Sequence, residues 1–251
     1  MPPLLAATRG YSVPQTHNLS CTMRIGILLT GHVHDKLVGA HGDYVDMFKT
    51  LLAGHGFEFS DYAVVDMEFP ASVTDADGWL LTGSKHGAYE DLPFIAPLEE
   101  FIREAYARHV PMVGICFGHQ IIAQALGGRV AKYEEGWAAG ATEYDFCGET
   151  LKMNAWHQDQ VIEKPAGAEV IARNPFCEFA ALVYDDRIYS VQAHPEIGDA
   201  YLAGLLEVRA PGVVAEPTRL EALERIGTPL DSGIVANRIA DFFKKPRAPH
   251  V

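Results

Sequence analysis

In "PMVGICFGHQIIAQALGG", residues 111–128, a strand runs into a helix almost without a loop. The run from Met112 to Ile115 has no polar face, so both of its sides must be covered by protein, as in a parallel sheet. Pro111 precedes it, and Gly127 and Gly128 close the helix that follows. Cys116 sits at the junction, with Gly114 two residues before it and Gly118 two after. A chain that turns this sharply needs small residues where strand and helix backbones meet.

Upstream the same alternation repeats. "MRIGILLTG" reads as a buried strand and "GDYVDMFKTLLAGHG" as a helix with apolar residues at helical spacing. "FEFSDYAVV" and "DGWLLTG" read as further strands, and "APLEEFIREAYARH" as an amphipathic helix. Strands alternating with helices imply βαβ units, hence an α/β fold with an open, mostly parallel sheet and helices on both faces. Beyond residue 128 the pattern changes to short strand-like runs: "GRVAKY", "GATEYDF", "TLKMNAW", "AEVIAR", "FAALVYD" and "RIYSVQAH". Antiparallel strands are expected there. Two helices are expected in the tail, around "EPTRLEALERIG" and "GIVANRIADFFKK". No repeat or linker divides the chain. Residues 1–22 are expected to be a loose leader, with Met23 as a candidate start codon, and 23–251 a single domain.

Charge narrows the partners. With 33 acidic against 20 basic side chains the formal net charge is −13, which repels nucleic-acid phosphates and anionic membranes alike. No apolar run is long enough to span a bilayer, and the four cysteines contain no C-x-x-C pair. A cytoplasmic location is expected. Cys21, Cys147 and Cys177 have no partner motif and read as inert thiols.

Cys116 is different because of its position. Ligands of open α/β sheets bind at the carboxyl ends of strands. The N–H groups of the following helix favour a thiolate there, and that of Phe117 is one candidate oxyanion donor. On its own the residue reads equally well as a buried core thiol. "YSVQAHPEI" tips the balance, because a second apolar strand ends in His194, with Glu196 two residues on. A thiol needs a base within reach, and the base needs a carboxylate to set its tautomer.

Together "GICFGHQ", "AHPE" and "DGWLLTGS" resemble the three signatures of class I glutamine amidotransferases, in particular the stand-alone GMP-synthase-like members, from about Met23 to Ile197. The resemblance implies a flavodoxin-like sheet and attack of Cys116 on a side-chain amide, with a γ-glutamyl thioester formed and then hydrolysed. It implies His194 as acid and base, Glu196 as its orienting partner, and backbone donors at Gly83, Ser84 and Phe117. It also implies Gln120 as a substrate-binding residue, and His157 as a lining of the pocket within a stretch where the family often has H-G-D. Where the family's oxyanion loop usually reads G-G-P, this chain has Gly83-Ser84-Lys85.

The expected substrate is therefore glutamine or another γ-glutamyl compound, with no cofactor. Ammonia could pass to a synthase partner in trans, or the chain could act alone on γ-glutamyl compounds. Two alternatives compete. One is a non-catalytic binding protein on the same fold. The other is a metal-dependent hydrolase using His32, His34 and His41, with Asp35 and Asp43 nearby in the loop 31–43.

Overall fold

A computed structural model describes residues 22–247; the expected leader, apart from Thr22, lies outside the described residues. Strand β1 (Met23–Leu28) is followed by the short helix α1 (Asp35–His41) and by α2 (Tyr44–Leu51). Then come β2 (Phe57–Tyr62), β3 (Gly78–Leu81), α3 (Ile95–Ala107), β4 (Met112–Ile115) and α4 (Phe117–Ala125). The second half supplies β5 (Arg129–Lys132), β6 (Ala138–Phe146), β7 (Glu149–His157), β8 (Asp159–Glu163), β9 (Glu169–Ala172), β10 (Ala181–Tyr184) and β11 (Ile188–Val191). Helices α5 (Asp199–Val208), α6 (Glu216–Glu224) and α7 (Ser232–Lys244) finish the described chain.

The central sheet has the order β2-β1-β3-β4-β11-β10-β9. Its first five members are parallel, and β10 and β9 add antiparallel pairs at one edge. This is the flavodoxin-like, mostly parallel α/β arrangement. Alternation along β1 shows why both faces are covered. Ile25 and Ile27 pack on one side with Phe48 of α2 and Val235, Ile239 and Phe243 of α7. Leu28 belongs to the other side, with Leu98 and Ile102 of α3 and Ile121 and Ile122 of α4. A third cluster caps the carboxyl ends of the strands, where Leu37 of α1 meets Leu202 and Leu205 of α5.

Two antiparallel ribbons, β5–β8 and β6–β7, stand outside this sheet. The β6–β7 ribbon is tied to it by two bridges, Asp145 with Arg173 and Asn154 with His194.

Some elements differ from expectation. The strand predicted at 57–65 ends at Tyr62, and Val64–Asp66 forms a 3₁₀ turn that buries Val64 and leaves Met67 at φ 68°. Helix α5 was not expected, since its first residues lack a capping side chain and its N-cap is Gly198. Its face is set by packing, not by its own signals. Strand β8 exists because β5 offers a partner, pairing Val130 with Val161. Helix α1 begins where the ring of His34 accepts the N–H of Lys36, a helix cap in a residue read as a possible metal ligand.

The approach of α4 to the sheet depends on missing side chains. A Cβ on Gly118 would stand 2.4 Å from the carbonyl oxygen of Leu81, and one on Gly114 2.6 Å from the backbone of Gly118. Neither obstacle is a flexible side-chain tip. Gly118→Ala should therefore destabilise the protein by about 1–3 kcal/mol or more, read as a fall in thermal midpoint. Gly39, inside α1 with nothing near its would-be Cβ, is the converse. Gly39→Ala should stabilise by about 0.5–1 kcal/mol.

Candidate active site

Three neighbouring strand ends build the site. In register, Leu81 of β3 faces Gly114 of β4, and Ile115 of β4 faces Val191 of β11. Cys116 thus emerges one residue past β4, with Gly83 beyond β3 on one side and His194 beyond β11 on the other.

The Cys116 backbone has φ 51° and ψ −103°, a conformation costly for any residue with a Cβ. Such strain amounts to about 1–3 kcal/mol and persists only where the surroundings over-determine it. Here the Cys116 N–H donates to the Val191 carbonyl at 2.9 Å, and its own carbonyl accepts the N–H of Gln120 at 3.0 Å. Both sides of the junction are pinned.

The loop after β3 is pinned through two threonines. The Thr82 hydroxyl donates to the Gly83 carbonyl at 3.1 Å, and the single proton of the Thr30 hydroxyl is shared between the Thr82 carbonyl at 3.0 Å and the Gly83 carbonyl at 3.1 Å. In a trans peptide the C=O and the next N–H point opposite ways. Carbonyls held toward the threonines therefore turn the N–H groups of Gly83 and Ser84 away from them. The Phe117 N–H, at the first position of α4, has no acceptor within its own helix. The Ser84 hydroxyl accepts the His86 N–H at 3.2 Å, and Ser84 packs so closely on Gly31 that a Cβ there would be 2.8 Å from that hydroxyl oxygen and 3.1 Å from the Ser84 Cα.

Opposite Cys116, Pro195 turns the chain so that His194 Nδ1 and Glu196 Oε1 lie 2.7 Å apart. The Glu196 side chain is 0% exposed and that of His194 3%. Nδ1–H donates to the carboxylate, which leaves Nε2 without another hydrogen-bond partner among the described residues. A Cβ on Gly83 would touch both His194 and Cys116, 3.0 Å from His194 Cε1 and 3.8 Å from Cys116 Cβ. Burial disfavours a charged imidazole at His194, but negative charge at the Cys116 sulfur and at Glu196 outweighs it. The His194 pKa is raised well above the ordinary histidine range.

Behind the sulfur runs a chain of amides that the sequence did not reveal. Gln192 donates to Cys116 Sγ at 3.6 Å, and Gln120 donates to Gln192 Oε1 at 3.1 Å and to the Asp159 carbonyl at 2.8 Å. Gln120 lines the cavity, yet its amide N–H groups hold the frame together. Gln192, two residues before His194, was the available signal, since a polar residue continuing the apolar strand "IYSV" needs a reason. Cys116, His194, Gln120, His157 and Ser84 all border one cavity of about 380 Å³.

His157 is buried beside this cavity, its ring edge against Phe176. Burial, helped by the nearby His194, lowers its pKa to about 3, so it is neutral in ordinary buffers. Cys177 is buried and its thiol is pushed up to about 12 by that burial, while Cys147 is exposed. The loop 31–43 does not assemble a donor set. His32 pairs with Asp43 at 2.6 Å and Asp66 at 2.9 Å, and the ring of His41 stands edge-on to Tyr201. Among the described residues no three His, Cys, Asp or Glu side chains gather as metal ligands, and no helix is long and apolar enough to cross a membrane.

Comparison with known proteins places the chain in a family and supports the fold. The family model described as glutamine amidotransferase class-I matches residues 41–200. A glutamine amidotransferase-like protein of Schizosaccharomyces pombe is 29% identical over 230 residues, covering 82% of this chain and 93% of that one. Gamma-glutamyl peptidase 4 of Arabidopsis thaliana is 30% identical over 183 residues, 66% of this chain and 73% of its own. Among solved structures, a glutamine amidotransferase from Methylobacillus flagellatus superposes with a TM-score of 0.69 at 24% identity, covering 91% of this chain and 96% of the other.

Two outcomes test the site's physics. Cys116→Gly removes the Cβ that makes φ 51° costly, whereas Cys116→Ala keeps it. The glycine variant should be the more stable of the two by roughly 1 kcal/mol in urea denaturation. For His157, unfolding restores the ordinary value of 6.5 from a folded value of about 3. The unfolded chain then binds the extra proton between those limits, so this contribution to stability is complete above about pH 6.5 and lost as pH falls. His157→Phe should flatten the decline of the urea midpoint between about pH 6.5 and pH 4.

Proposed function

The chain belongs to the class I glutamine amidotransferase family, and from that premise we propose that it is a cysteine hydrolase of γ-glutamyl amides. Residues 23–251 act as one domain in this proposal. The observation that carries it is the meeting of Cys116 and His194 over Gly83, with Glu196 holding the far nitrogen of the imidazole at 2.7 Å.

The Cys116 thiolate attacks the carbonyl carbon of the γ-amide. Negative charge moves to the carbonyl oxygen and is met by the N–H groups of Gly83, Ser84 and Phe117. Imidazolium at His194 gives its proton to the departing nitrogen, the C–N bond breaks, and a γ-glutamyl thioester remains. Neutral His194 then takes a proton from water as the water attacks the thioester. Collapse releases the γ-carboxyl product and restores the thiolate. Glu196 stabilises the charged imidazole throughout and is not itself protonated. Gln120, Gln192 and neutral His157 position and line the pocket.

The Ser84-Lys85 pair in place of G-P and the likeness to a γ-glutamyl peptidase favour a chain that works alone on γ-glutamyl peptides. A panel of glutamine and γ-glutamyl peptides given to the purified chain decides between the options. Peptide cleavage without help is expected; turnover of glutamine alone, rising when a synthase is added, would support the subunit alternative. Cys116→Ala should reduce kcat by at least about 10⁴-fold, and His194→Ala nearly as much, because such residues act as a unit. Glu196→Gln should cost about 10²–10⁴-fold, and the alkaline limb of its pH profile should move down, since Glu196 raises the His194 pKa. His157→Ala should cost less than His194→Ala. Full activity in Cys116→Ala, or a diazo-ketone glutamine analogue labelling Cys147 or Cys177 instead, would refute the mechanism.

A further inference from the structure

Arg209, where helix α5 ends, borders the same cavity as Cys116 and His194. Its backbone N–H closes the helix on Leu205 at 2.9 Å. Among the described residues no carboxylate lies within ion-pair distance of its guanidinium, although Lys, Arg and His side chains elsewhere in the protein pair with acids. A half-buried guanidinium bordering a cavity with no ion-pair partner among the described residues is a candidate anion site.

The surroundings say which part of a substrate reaches it. Tyr44, His194 and Arg209 border one cavity, and the Tyr201 hydroxyl donates to that of Tyr44 at 3.3 Å; both hydroxyls feel the charges of Glu196 and Arg209, and Tyr201 also that of Asp43. Arg209 therefore stands on the His194–Glu196 side of the sulfur. The other charged wall lies elsewhere: Asp159 feels Tyr89, Lys132 and Glu90, and a Cβ on Gly87 would touch both Asp159 and Tyr89. Because His194 must hand its proton to the departing nitrogen, the leaving group lies over His194, and so on the side of Arg209. Trp137 and Trp156, tilted against each other at 5.3 Å, border the same cavity and offer an apolar wall.

We propose that Arg209 binds a free carboxylate on the leaving amine, so that the preferred substrates are γ-glutamyl amino acids and peptides whose departing amine carries a carboxylate. The assignment rests on the cysteine-hydrolase function proposed above and adds a specificity residue to it. Ammonia, the leaving group of glutamine, offers Arg209 nothing to hold.

The test compares a γ-glutamyl-leucine substrate with its leucine-amide counterpart, which differs only in the carboxylate. For the natural chain kcat/KM should favour the free acid by about 10–100-fold, the range of a charge-assisted hydrogen bond. In Arg209→Gln that ratio should fall to near one, through KM more than kcat. In Arg209→Lys, which keeps the charge but loses the fork, it should be partly restored. The ratio is measured within one preparation, so partial unfolding of a variant does not affect it. Equal turnover of acid and amide by the natural chain, or an unchanged ratio in Arg209→Gln, would overturn the role of Arg209 alone. Failure of the natural chain to cleave any γ-glutamyl compound would overturn the proposed hydrolase as well.

Discussion

The close approach of helix α4 to strands β3 and β4 underlies the arrangement of the whole site. It is possible because Gly114 and Gly118 put hydrogen where any other residue would put carbon, 2.6 Å or less from backbone atoms. With that approach, Cys116 is forced into φ 51° at the carboxyl end of the central strand β4, and Phe117 opens the helix beside it. The strain of about 1–3 kcal/mol is modest beside the burial of the surrounding strands. It holds because a hydrogen bond to the Val191 carbonyl and one from the Gln120 N–H close on both sides of the residue.

Charge completes what packing begins. Glu196 is a fully buried carboxylate, and one of its oxygens has no partner among the described residues. Such a group is tolerated only beside a compensating positive charge. His194 supplies it, and the negative charges around His194 raise its pKa despite burial. The amide chain from Asp159 through Gln120 and Gln192 to the sulfur joins α4, β8 and the end of β11. Moving any of these elements would move the Cys116 sulfur, which ties the candidate site to the sheet more firmly than its loops alone could.

The walls of the cavity come from elsewhere. Tyr44 opens α2, Trp137 and Trp156 belong to or flank the β6–β7 ribbon, and Arg209 ends α5. Those segments lie outside the strand ends that hold Cys116 and His194. In the function proposed here, substrate choice can therefore change through the ribbon and α5 while the strand ends stay in place.

The apolar runs, the Gly-x-Cys-x-Gly junction and the H-P-E corner were enough to read the parallel sheet, its flanking helices and the candidate nucleophile, base and carboxylate. Each is a local signal, because a strand buried on both faces must be apolar and a sharp turn must be small. Other features were invisible. Nothing local marks β8 as a partner of β5 or Gln120 as a strut between two other groups, and Gln192, polar at the end of an apolar strand, gives no local sign that its partner is a sulfur. His32 and His34 looked like metal donors in the chain, but in space they serve an ion pair and a helix cap. Local periodicity and steric demand determined the scaffold and its reactive corner. Which polar groups share a pocket, and which are spent on the frame, depends on contacts between residues far apart in the chain, and only the tertiary structure decided those.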